Sequence, residues 1–190
     1  MLETDQMWRT NLIRLCGLAA IVAGVLRGIA SVIPRTTPRI MALYFFIDVF
    51  LLFGSIGLYG FQREEMGLTG TLGFLLEIVG TLILIARDLA VLGSASYLVG
   101  TLVFAAGLDL VAAGSWKGKK FPRWILILWI LSTILGPIGY FSGGLSVLFI
   151  VSGILFGIAF AGCGITVLSS GVVREKTGLD RDSLMRINIL

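Results

Sequence analysis

Four ionisable residues stand inside long apolar runs of this chain: Arg27, Asp48, Glu77 and Asp109. A charged side chain in hydrocarbon costs at least ~2.5 kcal/mol on insertion scales, so such groups mark ion or proton pathways, or ion pairs between helices. At a rise of about 1.5 Å per residue, Arg27 lies roughly 9 Å, and Asp48 and Glu77 each roughly 13 Å, from the nearer ends of their runs. These three therefore share one slab, which Arg87 and Asp88 close from above. Two carboxylates compete there for one arginine. One reading is a structural ion pair that locks three helices together. The other is an ion or proton site, because like charges at one site are relieved by a proton or a cation. Asp109, nearer the opposite surface and within reach of water, is a secondary intramembrane carboxylate.

Helical phase bears on these positions. At about 100° per residue, Glu77 lies about 40° from Gly73 and 60° from Gly80, and Arg27 about 40° from Ser31, so both flank faces of small residues and point toward protein. Asp48 and Asp109 lie opposite the glycines of their own segments.

The inventory excludes much other chemistry. The chain has no histidine, which removes the commonest acid/base group, zinc ligand and axial haem ligand. Cys16 and Cys163 both fall inside apolar runs and are expected as buried free thiols. No P-loop, dinucleotide fingerprint or nucleic-acid module is present. The expectation is a protein without cofactor, metal or catalytic residues, not an enzyme, and with no nucleic-acid partner.

The elements that hold these residues follow from composition. Of 190 residues, 57% are hydrophobic and 14% charged, and mean hydropathy is +0.99; soluble domains have about 45–50% apolar and about 25% charged residues. Six apolar segments, at approximately 12–33, 40–61, 68–86, 94–115, 124–140 and 145–171, have the length of spanning helices. Continuous runs, rather than alternating segments of about ten residues, argue against a barrel. The sequence thus predicts one all-α membrane domain over 1–190, a six-helix bundle with a tail at 172–190. The first segment is about twice as long as a signal peptide's apolar core and Arg27 interrupts its far end, so an uncleaved helix is expected.

Basic residues orient such a bundle. With six crossings, the side of the termini holds Arg9, Arg14, Arg63, Lys117, Lys119, Lys120, Arg123, Arg174, Lys176, Arg181 and Arg186, eleven of the fifteen; Arg27, Arg35, Arg39 and Arg87 fall on the other. Cytoplasmic flanks are enriched in Lys and Arg, which places both termini in the cytoplasm. The turn from Trp116 to Trp124, with Lys117, Lys119, Lys120 and Arg123 between the tryptophans, reads as a lipid and topology anchor. The tail reads either as an amphipathic surface helix or as a solvated end.

Glycine carries the packing signal. Gly93, Gly100, Gly107 and Gly114 keep a seven-residue period; so do Gly157, Gly164 and Gly171, Gly17, Gly24 and Ser31, and Gly73 and Gly80. Seven residues is nearly two turns, so each series is a stripe along which a neighbouring backbone can approach, as in a left-handed bundle. Gly24 and Gly28 add a possible close crossing. Gly57, Gly107 and Gly157, fifty residues apart and each shortly after a phenylalanine, are compatible with three tandem helical hairpins. Ser132-Thr133 followed by Gly136-Pro137 reads as the stop of the fifth helix.

The stretch Leu43-Tyr44-Phe45-Phe46-Ile47-Asp48 through Gly57-Leu58-Tyr59, then Gly67 to Gly80, and Phe121-Pro122-Arg123-Trp124 resemble a group of uncharacterised bacterial six-helix membrane proteins, over about Ala42 to Gly139. Length and hairpin layout also look like the bacterial acid-resistance membrane proteins. The resemblance implies a bacterial inner-membrane location and brings no functional site. Two functions compete: an accessory or scaffold subunit packing with itself as a homo-oligomer or with a larger membrane complex, and a small proton- or cation-coupled transporter or channel working through the Arg27, Asp48 and Glu77 slab.

Overall fold

A computed structural model describes residues 2–33, 38–89, 91–93, 95–142 and 146–187, with side chains at 11–33, 40–89, 91–93, 95–142 and 147–170. Arg9, Arg35, Arg39, Arg174, Lys176, Arg181 and Arg186, which enter the orientation count, lie outside the described side chains, as does the polar pattern of the tail. The described residues are all-helical: α1 (Leu2–Ser31), α2 (Pro38–Asp88), α3 (Ser96–Gly118), α4 (Arg123–Phe141) and α5 (Ser146–Ile187). All five contain stretches long and apolar enough to cross a membrane. Their outward faces are leucine, isoleucine, valine and phenylalanine, among them Leu15, Leu68, Val99, Ile134 and Ile165. Apolar surface this extensive suits lipid rather than water, so the chain has the form of a multi-pass membrane protein.

Five helices are found where six segments were expected, because the second and third are continuous. The join is at Gly67, whose φ of 62° and ψ of −167° are non-helical. That backbone region is essentially reserved for glycine. The two arms of α2 lie against each other: Tyr59 stacks on Phe74 at 4.1 Å, Ser55 bonds Glu77 and Arg87 reaches Met41. Those pairings run in opposite directions along the chain, so α2 reverses at Gly67.

Glycine sets the close crossings. A methyl group placed at Gly24 or Gly157 would overlap the carbonyl oxygen of the other, and one at Gly164 would overlap that of Gly17, which fixes α1 against α5. Likewise Gly73 and Gly80 on the second arm of α2 meet the α3 backbone at Gly107 and Phe104, and Gly114 meets Gly70. The Cβ position of Gly28 is open, so the second glycine of the Gly24/Gly28 pair is not pressed against a neighbour on that side. Gly57 and Gly107 each abut the preceding helical segment, at Cys16 and Glu77, but Gly157 abuts α1 rather than α4. The fifty-residue series therefore does not mark three equivalent contacts.

Between these glycine seams the interior is aromatic. Phe104, Phe156, Phe160, Trp129 and Phe121 follow one another with ring centroids 5.4–6.4 Å apart. Both cysteines are buried free thiols, as expected. Pro137 does not stop α4, which continues to Phe141. The carbonyl of Thr133, four residues before it, loses its helical donor, and Ser152 Oγ donates to the adjacent Ser132 carbonyl at 2.8 Å. The backbone of α5 continues helically to Ile187.

Candidate functional site

At the end of the bundle where α1 finishes and α3 begins, all five helices surround a cavity of about 200 Å³. Phe104 and Phe156, in edge-to-face contact, lie at its deep end. Four of the five expected cluster residues line it: Arg27, Asp48, Arg87 and Asp88.

Their arrangement differs from a simple ion-pair lock. Arg87 Nη1 donates to Asp88 Oδ1 at 2.7 Å, and the Asp88 side chain is only 3% exposed. The other oxygen, Asp88 Oδ2, is buried and has no hydrogen-bond partner. Asp48, 8% exposed, lines the same cavity as Asp88, close enough for the two carboxyls to interact, with Arg27 and Arg87 as the nearby positive charges. Arg27 lies over the Tyr44 ring at 5.5 Å and Arg87 over the Tyr97 ring at 5.3 Å. Such cation–π seating holds a guanidinium where full hydration is denied. The ion pairs among the described residues are Arg87–Asp88 and Lys120–Glu65, and neither contains Arg27. The site is thus two carboxyls face to face, flanked by two guanidinium groups on tyrosine rings.

Glu77 does not belong to it. Ser55 Oγ donates to Glu77 Oε1 at 2.5 Å, and Ser55 lies seven residues beyond Asp48 on the same arm, roughly 10 Å deeper. Depth counted from assumed segment ends misplaced Glu77; the register set by the turn at Gly67 pairs it with Ser55. Its backbone faces Gly107 across the α2/α3 seam. Asp109 is half-buried and accepts a hydrogen bond from Thr133 Oγ1 at 2.7 Å, tying α3 to α4 beside the cavity wall.

At the opposite end the basic turn divides. Trp116, Trp124, Lys117, Lys119 and Arg123 are exposed, as an anchor at a membrane surface requires. Lys120 instead turns inward, donating to the Phe61 carbonyl at 3.0 Å and pairing with Glu65 at 3.2 Å. It braces the reversal of α2 rather than offering itself to lipid. Lys119 sits at φ 54°, closing α3.

Several residues of the interior escaped the sequence reading. Nothing in their sequence spacing sets apart Tyr44 and Tyr97, the rings over which Arg27 and Arg87 lie. Ser55 and Gln62 follow Asp48 at the same seven-residue interval as the glycines, and that spacing was the available signal. Gln62 Nε2 donates to Ser115 Oγ at 2.7 Å, wholly inside the bundle.

Fold and site define an all-helical protein of membrane-spanning type, with an acidic and basic cavity at one end. Compared with protein-family models, curated proteins and solved structures, the chain matches none. The likeness to bacterial six-helix proteins accordingly carries no argument about the site. Among the described residues no group of three acidic or cysteine side chains could hold a metal ion.

Proposed function

We propose that this is a six-crossing bacterial inner-membrane protein with both termini in the cytoplasm, and that it is a small proton- or cation-coupled transporter or channel working through the cavity. One observation carries the reading: two buried carboxyls, Asp48 and Asp88, line one cavity of about 200 Å³, and Asp88 Oδ2 has no hydrogen-bond donor there. Two acids beside two arginines form a set that can be neutral, and binding or losing one small cation shifts its charge by a full unit in a low-dielectric setting. The reversal at Gly67 supports counting α2 as two crossings. The surplus of exposed basic residues at 116–124 supports placing that end in the cytoplasm.

The accessory-subunit reading draws on the glycine stripes together with the lack of a soluble domain and of histidine. Gly17, Gly24, Gly73, Gly80, Gly107, Gly114, Gly157 and Gly164 all meet neighbours within this chain, so the stripes no longer recommend an external partner. The function is tested by reconstituting the purified protein in liposomes and imposing proton, sodium or potassium gradients in turn. Flux of one of these above protein-free vesicles, lost in Asp48→Asn, is expected. Wild-type protein that passes none of the three would remove the reading.

A further inference from the structure

We propose that the polar face of α2 carries protons from the cavity through the bundle to the basic turn, with Glu77 as the carboxyl that accepts and releases them midway. This rests on the cavity being the working site and adds the route that leaves it. Asp48, Ser55 and Gln62 recur every seven residues, so they share one helix face at steps of roughly 10 Å. Each meets a polar side chain from another segment: Asp88 at the first rung, Glu77 at the second and Ser115 at the third. Beyond Gln62 come Glu65 and Lys120, both partly exposed at the far end. Ile47, Leu51 and Leu58 are buried between the rungs with the aromatic series alongside, and Ser132 and Ser152, between α4 and α5, are buried polar side chains away from this face.

The rungs above and below Glu77 each hold a buried acceptor with no partner, Asp88 Oδ2 and Gln62 Oε1. Buried polar atoms are nearly always hydrogen-bonded, to protein or to water, and these two suit the ends of short files of water, about three molecules for each step of roughly 10 Å, that reach Glu77 from both sides. The groups facing Glu77 are Ser55 and, bonded to its own carbonyl, Thr81 of α2, the backbone of Gly107 in α3 and the Cys163 thiol of α5. In each step one O–H bond breaks and one forms. The Asp48–Asp88 pair gives its proton to the first water of a file, each water passes one on until the last protonates Glu77, and Glu77 returns a proton to the waters on the Gln62 side, from which it reaches Glu65 and bulk solvent. No electrons move.

The test uses full-length protein in liposomes containing a trapped pH-sensitive dye, with the membrane potential clamped by potassium and valinomycin. Glu77→Gln keeps the size and an acceptor for Ser55, and is expected to lower proton flux at least tenfold. Gln62→Leu is expected to lower it as well. Thr166→Val, whose hydroxyl bonds the Gly162 carbonyl within α5, is expected to leave it unchanged. Wild-type flux in Glu77→Gln, together with loss in Asp48→Asn, overturns the route but leaves the cavity reading standing. Wild-type protein no faster than empty vesicles overturns the route, and overturns the cavity reading as well only when sodium and potassium flux are also absent. If Glu77→Gln aggregates on gel filtration, Gln62→Leu decides, and undiminished flux in that variant overturns the route.

Discussion

A single methyl group at Gly107 tests how tightly the second arm of α2 and α3 are joined. Built there, it would overlap the Glu77 amide nitrogen and stand 2.7 Å from the Gly73 carbonyl oxygen and 2.8 Å from Glu77 Cα. All three are backbone atoms, which cannot rotate aside. Ordinary contact requires α3 to retreat by roughly 0.5–1 Å, a gap that forfeits a quarter to a half of the dispersion energy along that face. The same seam includes Gly80 on Phe104 and Gly114 on Gly70, so the loss extends over several turns. Overpacking of this kind costs about 1–3 kcal/mol, offset by up to about 1 kcal/mol from the better helix propensity of alanine. Gly28→Ala supplies the control, since a methyl there meets nothing within 4 Å and keeps only the propensity gain. The two variants should differ by about 2 kcal/mol. Reversible unfolding by sodium dodecyl sulfate in mixed micelles, followed by the fluorescence of the tryptophans, measures both; Trp129 is fully buried and reports the core. A Gly107→Ala protein as stable as the Gly28→Ala protein would refute the reasoning.

Gly67→Ala should cost about 1–3 kcal/mol in the same unfolding assay, because a φ of 62° with ψ of −167° is strained for any residue with a Cβ; wild-type stability would mean that the reversal does not need glycine. Phe160→Ala, removing a fully buried ring between Phe156 and Trp129, should cost about 3–5 kcal/mol, and a loss below about 1 kcal/mol would deny the aromatic series its place in the core. Glu65→Gln should change stability by less than about 1 kcal/mol, since its pair with Lys120 is partly exposed. Lys120→Ala should cost more than that, because it also removes the donor to the Phe61 carbonyl; equal effects would reduce Lys120 to a surface charge.

Helix content, most segment limits and the glycine seams were legible because each depends on local pattern. Apolar runs of about 20 residues have one stable form in lipid, and a stripe of Gly17 and Gly24 has little use other than letting Gly157 and Gly164 come close. The grouping of charges was only partly legible. Arg27, Asp48, Arg87 and Asp88 do meet, since all lie near segment ends that the chain must bring to one side. Glu77 parted from them because side-chain depth depends on the register between the arms of α2, and one glycine torsion sets that register. The inward turn of Lys120 was hidden for a similar reason: its partners, Glu65 and Phe61, lie more than fifty residues earlier. Pro137 lies inside α4, which ends within one residue of the expected segment, as a helix held by neighbours tolerates a missing backbone bond that would end one in isolation.

Whether the four charged groups surround a wet cavity or a dry ion-pair core is decided by cysteine accessibility in membrane vesicles. Thr101 lines the cavity, whereas Ser55 is sealed against Glu77, and the native Cys16 and Cys163 are buried. Treated with a membrane-impermeant maleimide from the side opposite the basic turn, Thr101→Cys is expected to react and Ser55→Cys to stay unlabelled. Thr101→Cys inert from both sides, or labelled only from the side of the basic turn, would contradict an aqueous cavity at this end of the bundle.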